Sequence, residues 1–338
     1  MIFCGLLFVV LCVSLALTWA LRRYALKASI MDVPNERSSH SAPTPRGGGV
    51  AIVISFIVAL PILVEFDSLA LSEAVALGGA GLFIAILGFA DDHGHIAAAW
   101  RLLGHFIAAG WLLFWLNGLP TISIFSQTLD LGWAGPVVGA MYLVWLLNLY
   151  NFMDGIDGLA SVEAIGACLG VCIVYYFAGG AELFATPLLL SVAVMGFLFW
   201  NFPPAKIFMG DAGSGFLGIT LGGLSLVSAW HSPDFLWCWL ILLGVFVVDA
   251  TFTLFRRVAR GEKIYQAHCS HAYQNAARHF KSHRFVTLAV LAINVLWLLP
   301  IAVFVATNAL EGMVGILLAY FPIVVLAWKF GAGSASSQ

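Results

Sequence analysis

Apolar runs of about 20 residues recur along nearly the whole chain, and short polar segments separate them. Since the hydrocarbon core of a bilayer is ~30 Å thick, a helix of this length can cross it. The pattern therefore predicts an all-α polytopic membrane bundle of about eleven spans. The predicted spans are 1–21, 47–65, 72–90, 101–117, 133–151, 158–178, 184–201, 213–230, 235–255, 285–306 and 312–330. The segment 118–132 is too polar to span, and we expect a small external hairpin there.

The composition supports a membrane protein. Of 338 residues, 62% are hydrophobic and 9% are charged, whereas soluble proteins carry about 25% charged residues. The net charge of −2 argues against a nucleic-acid partner. No soluble domain interrupts the apolar pattern, so residues 1–338 are expected to form one integral domain in the lipid bilayer. Its largest predicted loop is 256–284.

The charged residues predict how the chain is oriented. If the N-terminus is outside, all fifteen Lys and Arg residues fall in the cytoplasmic loops or at the helix ends beside them. The opposite loops carry only acidic charges, namely Glu65, Asp67, Glu73, Asp130, Glu182, Asp234 and Glu311. Because basic residues stay on the cytoplasmic side, this division predicts an external N-terminus and a cytoplasmic C-terminus. Arg22 and Arg23 follow the first apolar run, which indicates a retained helix.

Two adjacent carboxylates, Asp91 and Asp92, end the third predicted span. Like charges this close repel each other unless a cation neutralises them, so the pair is a candidate divalent-cation or general-base site. The alternative is a pair of solvated charges that terminates a helix.

A stripe of polar residues crosses the end of the fifth span. Asn148, Asn151, Asp154 and Asp157 recur every three positions, which places them along one side of a helix. The stripe begins inside an apolar run, where an unpaired amide or carboxylate is costly. An asparagine ladder that only joins helices would explain Asn148 and Asn151 but not the two aspartates. The stripe therefore predicts a functional site.

Two glycine-rich segments lie on the same predicted face. Asp211 stands between glycines at the start of a span, with Lys206 shortly before it. A carboxylate there suits a hard cation, and the helix start suits a phosphate, although the segment alone is an ordinary turn. The loop 32–49 ends in Arg46 and three glycines, which is typical of a phosphate-binding loop. Its alternative is a polar loop that merely follows the charge rule.

The last predicted loop holds Arg257 and two histidines, His268 and His271. A transition metal would need further ligands, so contact with a phosphate or nucleotide fits this basic loop better. Within the spans, Asp249 and Glu163 are expected to have a partner or a function, because buried carboxylates are costly in a membrane.

Five motifs in order carry a resemblance that covers nearly the whole chain. They are the loop 43–49, Asp91-Asp92, the stripe 148–159, the segment 208–214 and the histidines of the last loop. Together they resemble the polyprenyl-phosphate N-acetylhexosamine-1-phosphate transferase family. Eleven spans with an external N-terminus favour its GlcNAc-type branch over the ten-span phospho-MurNAc-pentapeptide branch. Residues 35–40 and 268–274 resemble enzymes that start O-antigen chains with UDP-FucNAc, UDP-QuiNAc or a similar sugar. His95 stands where peptidoglycan members carry lysine, which argues against muramyl-pentapeptide as substrate.

The resemblance implies a reaction and its location. Undecaprenyl phosphate would attack a UDP-N-acetyl sugar and release UMP, with Mg²⁺ as cofactor and Mn²⁺ as an alternative ion. The site would lie on the cytoplasmic face of a bacterial inner membrane. The implied roles are Asp211, Asp92 and Asp154 at the metal, Asp91 on the lipid phosphate, support from Asn148, Asn151 and Asp157, and phosphate contacts by Arg46, Lys206, Arg257, His268 and His271.

Two other hypotheses stay open at this point. A secondary transporter would also have many spans, but transporters usually show repeated halves, which are not visible in this sequence. A CDP-alcohol phosphotransferase would need an Ala-Arg pair after its Asp-Gly, which is missing at Asp154 and Asp157. The oligomeric state is open, with a homodimer among the options.

Overall fold

A computed structural model describes residues 2–34, 42–94, 96–125, 127–262 and 269–334. These residues form helices joined by short connections and two small antiparallel hairpins. The helices are α1 Ile2–Lys27, α2 Val50–Glu65, α3 Leu71–Gly94, α4 Ala98–Trp115, α5 Gly135–Met153, α6 Leu159–Ala178, α7 Ala185–Asn201, α8 Asp211–His231, α9 Pro233–Leu242, α10 Gly244–Ala259, α11 Ala272–Phe280, α12 His283–Ile293, α13 Leu299–Ala306 and α14 Gly312–Lys329. Strand β1 Met31–Asp32 pairs with β2 Thr44–Pro45, and β3 Ile122–Ile124 pairs with β4 Gln127–Leu129.

The all-α polytopic prediction is confirmed, and each predicted span coincides with a helix or a helix pair. In the described chain, eight helical segments are long and apolar enough to cross a membrane. A ninth is added if α9 and α10, which are bent by 73°, form one broken span. The other two predicted spans are α2, with 16 residues, and α4, with 18 residues. The count of eleven and the sides of the two termini stay predictions.

The hairpin expected at 118–132 is present as β3 and β4, with Ile122 opposite Leu129. It packs beside α9, where the Trp237 indole N–H donates to the carbonyl of Ser123 at 2.7 Å. The polar segment therefore forms a small hairpin that packs against α9.

Helix α8 is the centre of the bundle, and a stretch of 18 residues in it, long enough to cross a membrane, is buried throughout. It packs against α3 on one side and α5 on another. Its sequence is rich in Gly, Ser and Ala, and such small residues let helices in a membrane approach closely. The first residue of this central helix is Asp211, so α8 brings one of the predicted motifs into the middle of the molecule.

The intramembrane Glu163 has the partner that its burial requires. Its carboxylate is fully buried and accepts a 2.6 Å hydrogen bond from the amide of Asn294. Asn294 begins a single π-helical turn between α12 and α13, so the pair joins α6 to this irregular span.

Candidate active site

Three of the predicted motifs meet at the start of α8. Helices α3 and α5 run antiparallel to α8, since Gly88 and Asn151, near their C-terminal ends, both contact Asp211. The motif that ends α3 and the stripe that ends α5 therefore lie beside the first turn of α8. Residues far apart in the sequence, Asp92, Asn151 and Asp211, become neighbours in this way.

The approach of α3 to α8 depends on glycine. A Cβ atom at Gly88 would lie 2.5 Å from the carbonyl carbon of Asp211, so a larger residue there would push the two backbones apart. Gly210, which precedes α8, has a φ of +79°, a conformation that favours glycine. The Gly-Asp sequence thus fixes the direction in which α8 begins.

Asp92 anchors the start of α8. Its side chain is 4% exposed, and it accepts hydrogen bonds from the backbone N–H groups of Asp211 at 3.2 Å and Ala212 at 3.5 Å. The first N–H groups of a helix lack partners within the helix, and a carboxylate there also interacts favourably with the helix dipole. The Arg46 guanidinium completes the contact, 2.6 Å from Asp92 Oδ1. In this arrangement Asp92 positions Asp211.

Asp211 is the residue on which the polar contacts converge. Its Oδ1 is 3.2 Å from Nη2 of Arg46 and accepts a 3.2 Å hydrogen bond from the amide of Asn151. Its Oδ2 is 3.9 Å from the guanidinium of Arg101. The Asn151 amide also donates to the hydroxyl of Ser214 at 2.9 Å, one turn into α8. Two cations and an amide therefore hold a carboxylate that is 28% exposed.

A polar cavity of about 240 Å³ opens next to Asp211. Five residues predicted from the sequence line it: Arg46, Asn151, Asp154, Asp157 and Asp211. Four polar residues to which the sequence analysis gave no role also line it: Asp32, Asn201, Ser214 and Gln274. All but Asn201 lie in segments that the sequence singled out. The cavity is therefore where most of the predicted chemistry collects.

The negative charges around this cavity repel one another, and the Arg46 guanidinium offsets only part of that repulsion. Burial raises the pKa of Asp154 to about 7, and the nearby carboxylate of Asp211 acts in the same direction. Burial opposes the charge of the Arg46 guanidinium, but the carboxylates of Asp92 and Asp211 raise its pKa, so it stays protonated. An additional cation in the cavity would stabilise the charged form of Asp154.

A smaller cavity of about 50 Å³ lies on the other side of Asn151 and Asp211, which line both spaces. Asp91 faces it, forms an ion pair with Arg101 and accepts a hydrogen bond from the N–H of Ile96. A second polar pair lines the same cavity. It joins Asn148, which was predicted from the sequence, to His105, which was not, and their side-chain nitrogens are 3.2 Å apart. Asp91 and Asn148 are therefore separated from the larger cavity by the Asn151–Asp211 contact.

Arg101 and His105 were missed as site residues, although the sequence carried a signal for them. They lie four residues apart in the apolar helix α4. Ionisable residues inside a span usually face a polar interior, and this spacing places both on one face of the helix.

Comparison with known proteins agrees with this geometry. The profile described as Glycosyl transferase family 4 matches residues 74–229, which contain the motifs of α3, α5 and α8. The phospho-N-acetylmuramoyl-pentapeptide-transferase of Streptococcus pneumoniae is 31% identical to this chain, over 67% of the chain and 72% of that protein. The chain belongs to the polyprenyl-phosphate N-acetylhexosamine-1-phosphate transferase family.

Two other relatives carry names from the N-acetylglucosamine branch of this family. The probable undecaprenyl-phosphate N-acetylglucosaminyl 1-phosphate transferase of Bacillus subtilis is 29% identical, over 83% of this chain and 78% of that protein. The decaprenyl-phosphate N-acetylglucosaminephosphotransferase of Mycolicibacterium smegmatis is 28% identical, over 80% and 74%. Family membership makes the chain a multi-pass membrane phospho-sugar transferase, and it sets the transporter hypothesis aside.

Within this transferase, Asp157 connects three chain segments at the edge of the larger cavity. Its carboxylate lies 3.3 Å from Nδ1 of His283 and accepts a 3.0 Å hydrogen bond from the N–H of Ala205. Its own carbonyl accepts from the hydroxyl of Thr287 at 2.9 Å. The residue therefore ties the end of the stripe to the start of α12 and to the turn after α7.

The buried Asp249 holds α11 against the cavity. Its two carboxylate oxygens accept hydrogen bonds from the N–H groups of Ala272 and Tyr273, each at 2.9 Å, at the first turn of α11. The Tyr273 hydroxyl then donates to the carbonyl of Phe152, beside the stripe, at 3.0 Å. The next residue, Gln274, lines the cavity. Asp249 thus has the partner expected for an intramembrane carboxylate.

Other predicted phosphate contacts do not line the cavity formed by the described residues. Lys206 is exposed, with its ammonium 5.4 Å from the centre of the Trp200 ring. Arg257 is 4% exposed and pairs with Glu262 at 2.7 Å. His271 is buried beside Asp249, its Nδ1 3.4 Å from Oδ1. His268, together with His95 and the segment 35–40, lies outside the described residues. The phosphate-binding roles of Lys206, Arg257, His268 and His271 stay predictions.

The acidic residues fit a magnesium ion that a substrate would help to hold. Among the described residues, no three His, Cys, Asp or Glu side chains are close enough to enclose a metal by themselves. Mg²⁺ at phosphoryl-transfer sites is usually held by one or two carboxylates together with substrate phosphates. Asp154 and Asp211 both line the cavity, and Asp154 carries the repulsion that a cation would relieve. The metal assignment stays a prediction.

The glycine contact between α3 and α8 gives a direct test of the site geometry. Replacing Gly88 with Ala is expected to lower the transfer rate at least about tenfold, because displacing reacting groups by about 1 Å is costly. The matched control is Gly94→Ala on the same helix, where a Cβ would have nothing within 4 Å. Initial rates of both purified variants would be compared. Equal rates would show that the close approach does not control the site.

Proposed function

We propose that this chain transfers an N-acetylated sugar 1-phosphate from a UDP-sugar to undecaprenyl phosphate and releases UMP. The product would be the lipid-diphosphate-linked sugar that starts an O-antigen or another surface polysaccharide. The observation that carries this proposal is the convergence of Arg46, Arg101 and Asn151 on Asp211, between two cavities. A carboxylate surrounded by cations and amides suits a reaction in which two phosphate groups must meet.

The reaction exchanges one phosphoanhydride bond for another. An oxygen of the lipid phosphate forms a bond to the β-phosphorus of the UDP-sugar. The bond from that phosphorus to the bridging oxygen breaks, and UMP leaves with the bonding electrons. Both reactants are anions, so the chain must first overcome their repulsion.

The cationic side chains supply part of this compensation. Arg46 and Arg101 now neutralise Asp92, Asp91 and Asp211, and each guanidinium has several donors. Phosphate oxygens would take over some of these donors when a substrate enters. The Asn151 amide keeps Asp211 oriented during the exchange, because it also contacts Ser214 of the same helix.

Magnesium would contribute further neutralisation of the diphosphate and of the charge that develops on the leaving UMP. Asp211 and Asp154 would hold it, with Asp92 behind Asp211. Asp91, in the smaller cavity beside Arg101, would orient the lipid phosphate or accept its proton.

Asn201 and Gln274 line the larger cavity, and their amides are the proposed contacts for hydroxyl or amide groups of the donor. Both also have partners in the protein: Asn201 accepts from the N–H of Gly158 and donates to the carbonyl of Ile207, and Gln274 accepts from the N–H of His271. UDP-FucNAc, UDP-QuiNAc and UDP-GlcNAc are the proposed donors. The basic residues at the end of the bundle where the cavity opens support a cytoplasmic location for it.

The direct test is UMP release by the purified protein with undecaprenyl phosphate, Mg²⁺ and a panel of UDP-sugars. We expect release with one or more of the three N-acetylhexosamine donors, and a lipid-linked product of matching mass. Reactions without lipid serve as the control for simple hydrolysis. Transfer from UDP-MurNAc-pentapeptide alone would contradict the proposed branch, and release without any lipid product would contradict the transfer itself.

A further inference from the structure

A third and more open cavity, of about 590 Å³, lies next to the 240 Å³ cavity at Asp211, and Asp157 lines both. It is formed where α11 ends, α12 begins and the chain turns after α7. Its lining residues are Asp157, Pro203, Pro204, Ala277, Arg278, Lys281, Ser282, His283 and Arg284. We call this space the basic groove.

The basic groove carries a surplus of positive charge. Arg278, Lys281 and Arg284 are all exposed and lie within seven residues of each other. Among the described residues that line the groove, Asp157 is the only carboxylate, and it is engaged with His283 and Ala205. The groove therefore presents three cations to an incoming anion.

Two of these cations are held in place by the protein. The Arg278 guanidinium donates to the carbonyl of Cys269 at 2.6 Å and also contacts Asn275. The Arg284 guanidinium lies 5.9 Å from the centre of the Phe202 ring, over its face. Held side chains lose less conformational freedom when a ligand binds, which favours a defined site over a diffuse charged surface.

The groove also lies at the start of a helical segment long enough to span a membrane. Arg284 belongs to the first turn of α12, the start of the membrane-length segment His283–Ala306. Next to it are two exposed aromatic residues, Phe280 (43% exposed) and Phe285 (52% exposed), with ring centres 4.6 Å apart. Exposed aromatic rings beside cations at the end of a spanning helix are typical of the interface between lipid and water.

We propose that the basic groove binds the phosphate headgroup of an anionic phospholipid beside the reaction cavity. The chemistry that identifies the ligand is a phosphate attached to acyl chains: three cations match the phosphate, and the exposed rings of Phe280 and Phe285 suit the apolar chains. Basic pockets between spanning helices on the cytoplasmic side are known to bind such headgroups. This site is separate from the acceptor of the transfer reaction and does not depend on the proposed function.

The test measures lipid binding directly. Purified full-length protein in detergent would be mixed with phosphatidylglycerol or phosphatidylcholine, and bound lipids would be counted by native mass spectrometry. The groove variant carries Lys281→Asn and Arg284→Gln; asparagine is chosen because Lys281 has a φ of +50°, which asparagine tolerates. We expect its preference for phosphatidylglycerol to fall about 5-fold for each charge removed.

A matched control separates a site from general attraction. Arg23→Gln with Lys27→Gln removes two positive charges from the end of α1, at residues that do not line the groove. We expect this control to keep its preference for phosphatidylglycerol, and circular dichroism would verify that both variants are folded. An equal loss in the two double variants would overturn the proposal, because it would show non-specific attraction.

Competition identifies the source of the phosphate. We expect neither inorganic phosphate nor undecaprenyl phosphate to displace phosphatidylglycerol from the wild-type protein at equal concentration. Displacement by inorganic phosphate would show a site for free anions. Displacement by undecaprenyl phosphate, lost in the groove variant, would show a part of the acceptor site, and either result would overturn the proposal.

Discussion

Replacing Asp211 with Asn is expected to reduce UMP release at least about 100-fold, the effect of removing one electrostatic contact to a transition state at a preorganised site. The amide has a similar shape but no charge, so it cannot balance Arg46 and Arg101, and it binds a cation more weakly than a carboxylate does. The initial rate would be measured with purified protein at saturating Mg²⁺ and both substrates. Titration of Mg²⁺ would then show whether the apparent affinity for the ion has fallen.

The control for this change is Asp130→Asn in the opposite polar segment. Asp130 accepts a hydrogen bond from the N–H of Gly132 at 2.8 Å, within its own turn. It removes the same charge without touching the cavity, so we expect it to keep the wild-type rate. If Asp211→Asn kept a near-normal rate at saturating Mg²⁺, its proposed role as a metal ligand would be wrong.

The helices and the polar stripe could be predicted because both depend on neighbours in the sequence. An apolar run of membrane length has few alternatives to a helix, and a three-residue repeat keeps side chains on one side of it. Asn151 lies in the last turn of α5 and lines the cavity, whereas Asp154 comes just after the helix ends at Met153 and lines the cavity from the following turn, so the predicted helical stripe holds only as far as Asn151. Asn148 turns away towards His105, because a three-residue step is shorter than one helical turn and the stripe drifts around the helix.

The division of work between Asp91 and Asp92 could not be predicted. Adjacent residues of a helix point about 100° apart, so one carboxylate reaches Arg101 and the other reaches Arg46 and the start of α8. Which partner each one meets depends on how α3, α4 and α8 pack. A sequence pattern read along one helix does not contain that information.

Nearness in the sequence to Asp211 does not bring the Lys206 side chain into the cavity. It precedes Asp211 by five residues, yet its ammonium lies over Trp200 and its carbonyl accepts from Nε of Arg22 in α1. Arg101, in contrast, is 110 residues from Asp211 in the sequence and 3.9 Å from it in space. Pairings across helices follow from tertiary packing, in which α8 is surrounded by α3 and α5.

The Asp249→Asn variant is expected to lower the transfer rate about 10- to 100-fold, although Asp249 is not at the cavity. Both carboxylate oxygens accept backbone N–H groups, from Ala272 and Tyr273. An asparagine would face one of them with its own N–H₂ group, so one end of α11 would lose its attachment. The rate would be measured together with limited proteolysis of the loop 256–284, which is expected to become faster.

A double-variant cycle distinguishes this positioning role from a general loss of stability. If Asp249 acts through α11, the effect of Gln274→Ala on the rate is expected to be smaller in the Asp249→Asn background, because Gln274 has already left its place in the cavity. Thr253→Val is the control: it removes the 3.1 Å hydrogen bond to Asp249 Oδ1 and leaves both contacts to α11. Strictly additive effects of Asp249→Asn and Gln274→Ala would mean that Asp249 supports the fold without setting the position of α11.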